Sequence, residues 1–234
     1  MSPPSPLRVK NPATGELLEE IPCADEAAAE AAVARARAAQ PAWGALPFAD
    51  RARALRQLAR AIRDDNGFLD TLSAESGKPR YEAELIELFY TLELTRYYTG
   101  RAGRRALRDE LRHPLIFANK RARVVRHPRG VVGVIGPWNF PLLNNYADCV
   151  GPLVAGNAVV LKPSDQTPLT SLRVAALWKK LGLPAGVLEV VPGRGEAGAV
   201  LAATADMVFF TGSAAVGRQV AATAATRLVP AVLE

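Results

Sequence analysis

Histidine and cysteine are scarce in this 234-residue chain, with two of each. Cys23 and Cys149 are too few and too far apart to build a disulfide framework or a zinc site. No HExxH or CxxC pattern occurs, nor a histidine placed to activate a nucleophile, because His113 and His127 both fall in one basic segment. The two thiols have no neighbouring group to lower their pKa and read as buried structural cysteines. Also missing is any apolar run near the roughly 18 residues that span a bilayer. The start, MSPPSPLRVKNPATGE, has no apolar stretch of the signal-peptide kind. A cytoplasmic location, with no membrane partner, is the expectation. Aromatics make up only 6% of residues, and few of them interleave with the basic segment. That argues against a surface that stacks exposed bases.

The basic segment, residues 101–129, holds ten Lys/Arg against two Asp/Glu in a chain of net charge +6, so the remainder carries −2. The basicity is local. It reads as a solvated face or a contact with another subunit and not as a nucleic-acid surface.

What the sequence does contain divides into two periods. The first half is helical in pattern. Asp25 precedes EAAAEAAVARARAA as an N-cap, and Leu55, Leu58, Ala59 and Ile62 recur at helical spacing, as do Leu85, Leu88, Phe89 and Leu92. ESGKPR interrupts with Gly and Pro, and extended arms are expected around Leu115–Ala118 and Arg123–Arg126. From residue 130 the runs GVVGVIG, NAVVLKP, GVLEVVPG, DMVFFTG and RLVPAVL are short, continuous and Val-rich, as strands buried on both faces are. Helical stretches at 142–155, 169–181, 196–203 and 214–225 alternate with them. The fold class is therefore α/β, a Rossmann-like doubly wound sheet preceded by helices. Ligands bind such sheets at the carboxyl ends of the strands.

Those ends carry the candidate chemistry. Gly193, Gly195 and Gly198 spell GxGxxG, but no acidic residue follows at about 20 positions to hold a ribose, so the motif alone is weak. Gly212-Ser213-Ala-Ala-Val216-Gly217 has the glycine spacing of a phosphate loop without its Lys and Ser/Thr, which excludes a nucleoside triphosphatase. What remains after Phe210-Thr211 is a helix N-terminus suited to a pyrophosphate. In GPWNFP, Asn139 is an amide fixed between prolines, a permanent hydrogen-bond donor of the kind an oxyanion needs, although a lone Asn is more often a turn cap. Lys162, three residues before Asp165, is a cation at a strand end; the two together suit ribose hydroxyls, or form a surface pair.

Taken together, NPATGE, Trp43, Arg51, Leu55, Leu58, ESGKP, GVVGVIGPWNFP, VLKPSDQTPLT, VVPG, FTGSAAVGR and the final LE resemble the aldehyde dehydrogenase superfamily over nearly the whole chain. The resemblance implies an N-terminal helical part of a cofactor domain at 1–109, an oligomerisation hairpin arm at 110–128 and a Rossmann-like NAD(P)-binding part at 129–234. It further implies Asn139 as the oxyanion amide and Glu234 as the general base that activates the water hydrolysing a cysteine thioester. Ile135, Pro137, Trp138, Lys162, Ser164, Asp165, Gly193, Gly195, Phe210, Thr211, Gly212, Ser213, Val216 and Gly217 are implied to bind NAD, with NADP possible; no metal is implied. The family more often has Glu where Asp165 stands, and a carboxylate there disfavours a 2′-phosphate. Neither cysteine matches the family's nucleophile, which lies beyond Glu234. The chain is thus expected to be the cofactor-binding portion of an enzyme oxidising an aldehyde to a carboxylic acid, inactive by itself and homodimeric or homotetrameric when complete. The alternative is a non-catalytic dinucleotide-binding module.

Overall fold

A computed structural model describes residues 4–112 and 120–234. The expected extended arm at 115–118 and His113 lie outside the described residues. The remainder of the arm forms two short antiparallel strands, β3 (Glu110–Arg112) and β4 (Ala122–Val124).

The chain opens with a hairpin of β1 (Leu7–Lys10) and β2 (Leu17–Ile21), followed by α1 (Glu26–Ala45), α2 (Phe48–Asp64) and α3 (Phe68–Ser76). Asp25 caps α1 as expected, its carboxylate accepting the Ala28 N–H at 2.8 Å. Gly77 ends α3 with φ +74°, a left-handed cap that glycine tolerates. A short turn α4 (Arg80–Glu82) leads into a π-helical stretch, Ala83–Phe89, and then α5 (Tyr90–Thr99) and α6 (Arg101–Ala106).

The second half alternates β5 (Val131–Ile135), a π-helical stretch Leu143–Ala147 running into α7 (Asp148–Val154), and β6 (Ala158–Lys162). Then follow α8 (Leu169–Lys180), β7 (Leu188–Val190), α9 (Gly195–Thr204), β8 (Met207–Phe210), α10 (Ala214–Thr226) and β9 (Ala231–Leu233). The five strands form one parallel sheet in the order β7-β6-β5-β8-β9. The order reverses between β5 and β8, which makes their carboxyl ends the switch point where a doubly wound sheet opens a crevice.

Alternate residues of the strands feed two cores. Val132, Val134, Val159 and Leu161 pack with Leu55, Leu58, Ile62, Leu153 and Val174 on one face. On the other, Val131, Ile135, Val160, Val208 and Phe210 pack with Ala29, Ala32, Ala36, Leu201 and Val220. The N-terminal helices and the sheet thus share their cores. Trp43 donates its indole N–H to the Leu153 carbonyl at 2.8 Å, and buried Arg51 donates to Val154 at 2.9 Å, which ties α1 and α2 to the end of α7.

The helix at 83–99 follows its sequence pattern in part. Leu88 is buried and Leu92 packs half-buried on the core, but Leu85 and Phe89 are exposed. A line of Ala83, Glu87, Thr91, Thr95 and Thr99, one residue in every four, is buried beside Leu88. The threonines pack inward because Thr95 and Thr99 return their hydroxyls to the carbonyls four residues earlier, at 2.8 and 2.7 Å.

Helix α8 starts at Pro168 without a side-chain cap of its own, and Glu75 supplies one from α3. Its carboxylate accepts the N–H groups of Leu169 at 2.7 Å and Thr170 at 2.8 Å. Burial outweighs those bonds and pushes the Glu75 carboxyl up to about 7. A folded-state pKa above the ordinary value stabilises the fold below the unfolded pKa, and that stabilisation is withdrawn as pH rises through about 7. Thermal melts from pH 5 to pH 8 are expected to fall with rising pH by an amount equivalent to about 3 kcal/mol. Glu75→Gln should remove most of the slope. A slope equal to that of the unsubstituted chain would contradict the assignment.

Candidate functional site

The crevice at the switch point is a cleft of about 790 Å³. Its walls come from four strand ends and two helices.

At the end of β5, the Gly136 N–H continues the ladder by donating to the Lys162 carbonyl at 3.0 Å, and Pro137 then ends the strand. Trp138 follows, 56% exposed, with Asn139 beside it on the cleft. The turn is braced from below by buried Asn145, whose amide donates to the Pro141 carbonyl at 3.0 Å. A Cβ on Gly136 would stand 1.4 Å from Asn145 Oδ1, so only glycine fits there. From the side, the Thr167 hydroxyl donates to the Trp138 carbonyl at 3.2 Å.

Lys162 ends β6. Its side chain is buried, its stem lies on Gly198 of α9, and Nζ donates to the Pro163 carbonyl at 2.7 Å. Burial lowers its pKa, while nearby Asp165 and Cys23 act in the opposite direction. Ser164 and Asp165 continue the rim, with the Gln166 N–H donating to the Ser164 hydroxyl at 3.2 Å.

The end of β8 joins the same floor, since the Thr211 N–H donates to the Ile135 carbonyl at 3.1 Å. Ser213 caps α10 by accepting the Val216 N–H at 3.4 Å, so the first turn of that helix presents its N-terminal amides to the cleft. A Cβ on Gly212 would meet the Phe210 ring at 2.7 Å, which keeps the turn bare above that ring. Glu234 follows β9, its backbone exchanging bonds with Phe210 at 2.9 Å and Gly212 at 3.1 Å. Glu234 borders the same cleft as Asn139. Asp148, on the far side of the sheet end, is pushed up to about 6 by burial, with Glu234 adding a like charge.

The cleft brings together Ile135, Pro137, Trp138, Asn139, Lys162, Ser164, Asp165, Gly195, Phe210, Thr211, Gly212, Ser213, Val216 and Glu234. Gly193 and Gly217 stand apart from it. Gly193 forms a parallel bridge with Ala24, where a Cβ would strike the Ala24 carbonyl at 2.9 Å. Gly217 faces the Phe210 ring and borders a shallower depression with Arg218 and Ala221. The lining residues not expected at the site are Gly136, although it opens GPWNFP, and two helical faces, of which only Gly198 stood in a motif. Gly198, Ala199 and Ala202 continue from Gly195 along α9, while Gln219, Val220 and Thr223 continue from Val216 along α10. The helical spacing from Gly195 and Val216, residues already in view, was the available signal.

Neither cysteine lines the cleft. Cys149 is buried, its thiol pushed up by burial and donating to the Asn145 carbonyl at 3.2 Å. Cys23 is only half-buried, contrary to the expectation, because it follows the exposed hairpin; its sulfur accepts from Arg194 at 3.3 Å. Among the described residues no group of His, Cys, Asp and Glu could hold a metal, and no helix is long and apolar enough to cross a membrane.

A profile of the aldehyde dehydrogenase family matches residues 2–234. The chain belongs to that family. The chain is 40% identical over 220 residues to "Putative succinate-semialdehyde dehydrogenase (NADP(+)) 2" of Mycobacterium tuberculosis, covering 92% of this chain and 42% of that protein. It is 37% identical over 227 residues to 4,4′-diapolycopene aldehyde oxidase of Methylomonas, covering 96% and 43%. The crystal structure of an M. tuberculosis aldehyde dehydrogenase complexed with NAD+ superposes with a TM-score of 0.92 at 37% identity, covering 100% of this chain and 48% of that one. The chain therefore spans about two fifths of the length of these curated relatives. The relatives share its α/β Rossmann-like architecture.

Proposed function

We propose that this chain is the cofactor-binding portion of an NAD(P)+-dependent aldehyde dehydrogenase that oxidises an aldehyde to a carboxylic acid through a cysteine thioester. The observation that carries the reading is the single cleft at the β5/β8 switch point, where a helix N-terminus, a buried lysine, a fixed amide and a carboxylate converge. Small residues along α9 leave room for a flat adenine and ribose, and the bare Gly212 turn over Phe210 leaves room for a pyrophosphate at the start of α10. The residues present thus fit a dinucleotide. NAD(P)+, when bound, supplies the hydride acceptor. Lys162 and Asp165 hold the adenosine ribose, Ser213 and the first turn of α10 hold the pyrophosphate, and Trp138 and Phe210 flank the nicotinamide end.

Asn139 donates its side-chain N–H to the oxyanion that develops on the aldehyde's carbonyl oxygen, and Glu234 takes the proton from the hydrolytic water. A thiol nucleophile is the group this cleft lacks, since neither Cys23 nor Cys149 reaches it. Purified chain is accordingly expected to bind cofactor and to form no NADH from simple aldehydes, read at 340 nm. Turnover above a blank would overturn that division of labour. The same absence of a thiol favours, as second reading, a dinucleotide-binding module without chemistry. Turnover by a longer form that carries the thiol, lost in Glu234→Gln with cofactor affinity kept, supports the enzyme; cofactor binding with no turnover in that longer form supports the module.

The parts are residues 1–109 and 129–234 as one cofactor domain and 110–128 as an arm that bridges subunits of a homodimer or homotetramer, in the cytoplasm. Asp165 places a negative charge where a 2′-phosphate would lie, so NAD is favoured over NADP. Asp165→Ser is expected to shift the ratio of NADP to NAD affinity upward roughly tenfold, equivalent to about 1.4 kcal/mol. An unchanged ratio in calorimetric titrations would place the ribose elsewhere.

A further inference from the structure

Lys78 and Glu87 form an ion pair that does not line the cleft. Beyond the pair, their side-chain hydrogen bonds and ring contact reach Asn139, Phe140, Leu142 and Leu143, on the segment carrying Asn139. Glu87 lies within the π-helical stretch before α5 and is fully buried. One carboxylate oxygen is 2.5 Å from Lys78 Nζ; the other accepts the Leu142 N–H at 2.8 Å and the Leu143 N–H at 3.3 Å. Lys78 Nζ also donates to the Asn139 backbone carbonyl and sits 3.8 Å from the centre of the Phe140 ring. The pair thus grips Asn139 itself, the residue after it, and the amides three and four positions on.

A buried ion pair is poor evidence of added stability, since apolar replacements of similar size often serve as well. A use in fixing one geometry accounts for it better. An oxyanion donor acts only when its N–H is aimed in advance at the place where charge develops, and a peptide plane free to rock carries its side chain with it. We infer that Lys78 and Glu87 are positioning residues for Asn139, holding its peptide plane so that the side-chain amide points into the cleft. The inference rests on the reading of Asn139 as oxyanion donor.

The test uses this chain, isotope-labelled and saturated with NAD, and compares it with Lys78→Met/Glu87→Gln and with Lys78→Arg. The double variant removes both charges but keeps an oxygen for the Leu142 N–H. The expected result is that backbone order parameters at Asn139 and Phe140 fall from about 0.85 to below about 0.6, while those of β5 stay high. The Asn139 side-chain amide should shift in step, NAD affinity should stay within about twofold, and Lys78→Arg should restore the order. Unchanged order at Asn139 in the folded double variant would overturn the inference. So would a loss spread evenly over β5, which marks a merely structural pair. Should the double variant not fold, Glu87→Gln alone is read by the same two signals. None of these signals needs turnover, so failure of the oxyanion role would leave them intact, while their failure leaves that role untouched.

Discussion

Gly136→Ala is expected to lose at least about 3 kcal/mol of stability, the upper range for overpacking a filled site. The added methyl would lie 1.4 Å from Asn145 Oδ1, and Asn145 is itself buried and bonded to Pro141. Neither side yields without moving the Pro137–Pro141 turn. For a chain of this size the loss corresponds to a fall of roughly 6–12 °C in Tm. Cofactor affinity should fall with it, because Pro137, Trp138 and Asn139 ride on the displaced turn. Gly195→Ala is the matched control, as its Cβ would meet nothing within 4 Å. It is expected to stay within about 0.5 kcal/mol. Equal melting of the two variants would contradict the close fit at Gly136.

Lys162→Met is expected to move affinity and stability in opposite directions. The ammonium is buried against α9 and its pKa is lowered chiefly by that burial, so the folded chain loses little by its removal. Methionine keeps the length that packs on Gly198. Tm should therefore hold or rise. NAD binding should weaken by roughly 10- to 100-fold, the scale of a charge-assisted hydrogen bond lost to a ribose hydroxyl. Calorimetry and thermal melts on the same preparations read both quantities. Unaltered affinity would remove Lys162 from the ribose contact.

Strands β5 and β6 were legible because they are buried on both faces, so that GVVGVIG and NAVVLKP read as unbroken apolar runs. Strand β9, expected to be equally buried, lies at the sheet edge with Val232 and Leu233 exposed. The β1–β2 hairpin was not legible. LRVK and LLEEI are short, and most of β2 faces solvent, which leaves no period to read in a half that otherwise looks helical. The helix at 83–99 misled for a different reason. Beside Leu88, its buried line is Glu87 and three threonines, Glu87 paired with Lys78 and Thr95 and Thr99 bonded to carbonyls one turn back, while Leu85 and Phe89 face outward. Within the site, strand-end motifs brought most of the cleft into view. The faces of α9 and α10 were overlooked because small residues on a helix read equally well as packing. Glu87 escaped notice altogether, and Glu75 entered only as the first residue of ESGKPR. Their partners are backbone amides roughly 55 to 95 positions away, and nothing local in the sequence marks such a cap.

The central claim is that the cleft at the β5/β8 switch point binds a dinucleotide, and Trp138 offers a direct reading of it. Trp43 and Trp178 are buried, whereas Trp138 is 56% exposed on the cleft wall. Titration of the folded chain with NAD, followed by tryptophan fluorescence and by calorimetry, should give saturable quenching and a single site per chain. Trp138→Phe should silence the optical signal and leave the calorimetric one. A folded chain that shows neither signal up to millimolar NAD would contradict the account.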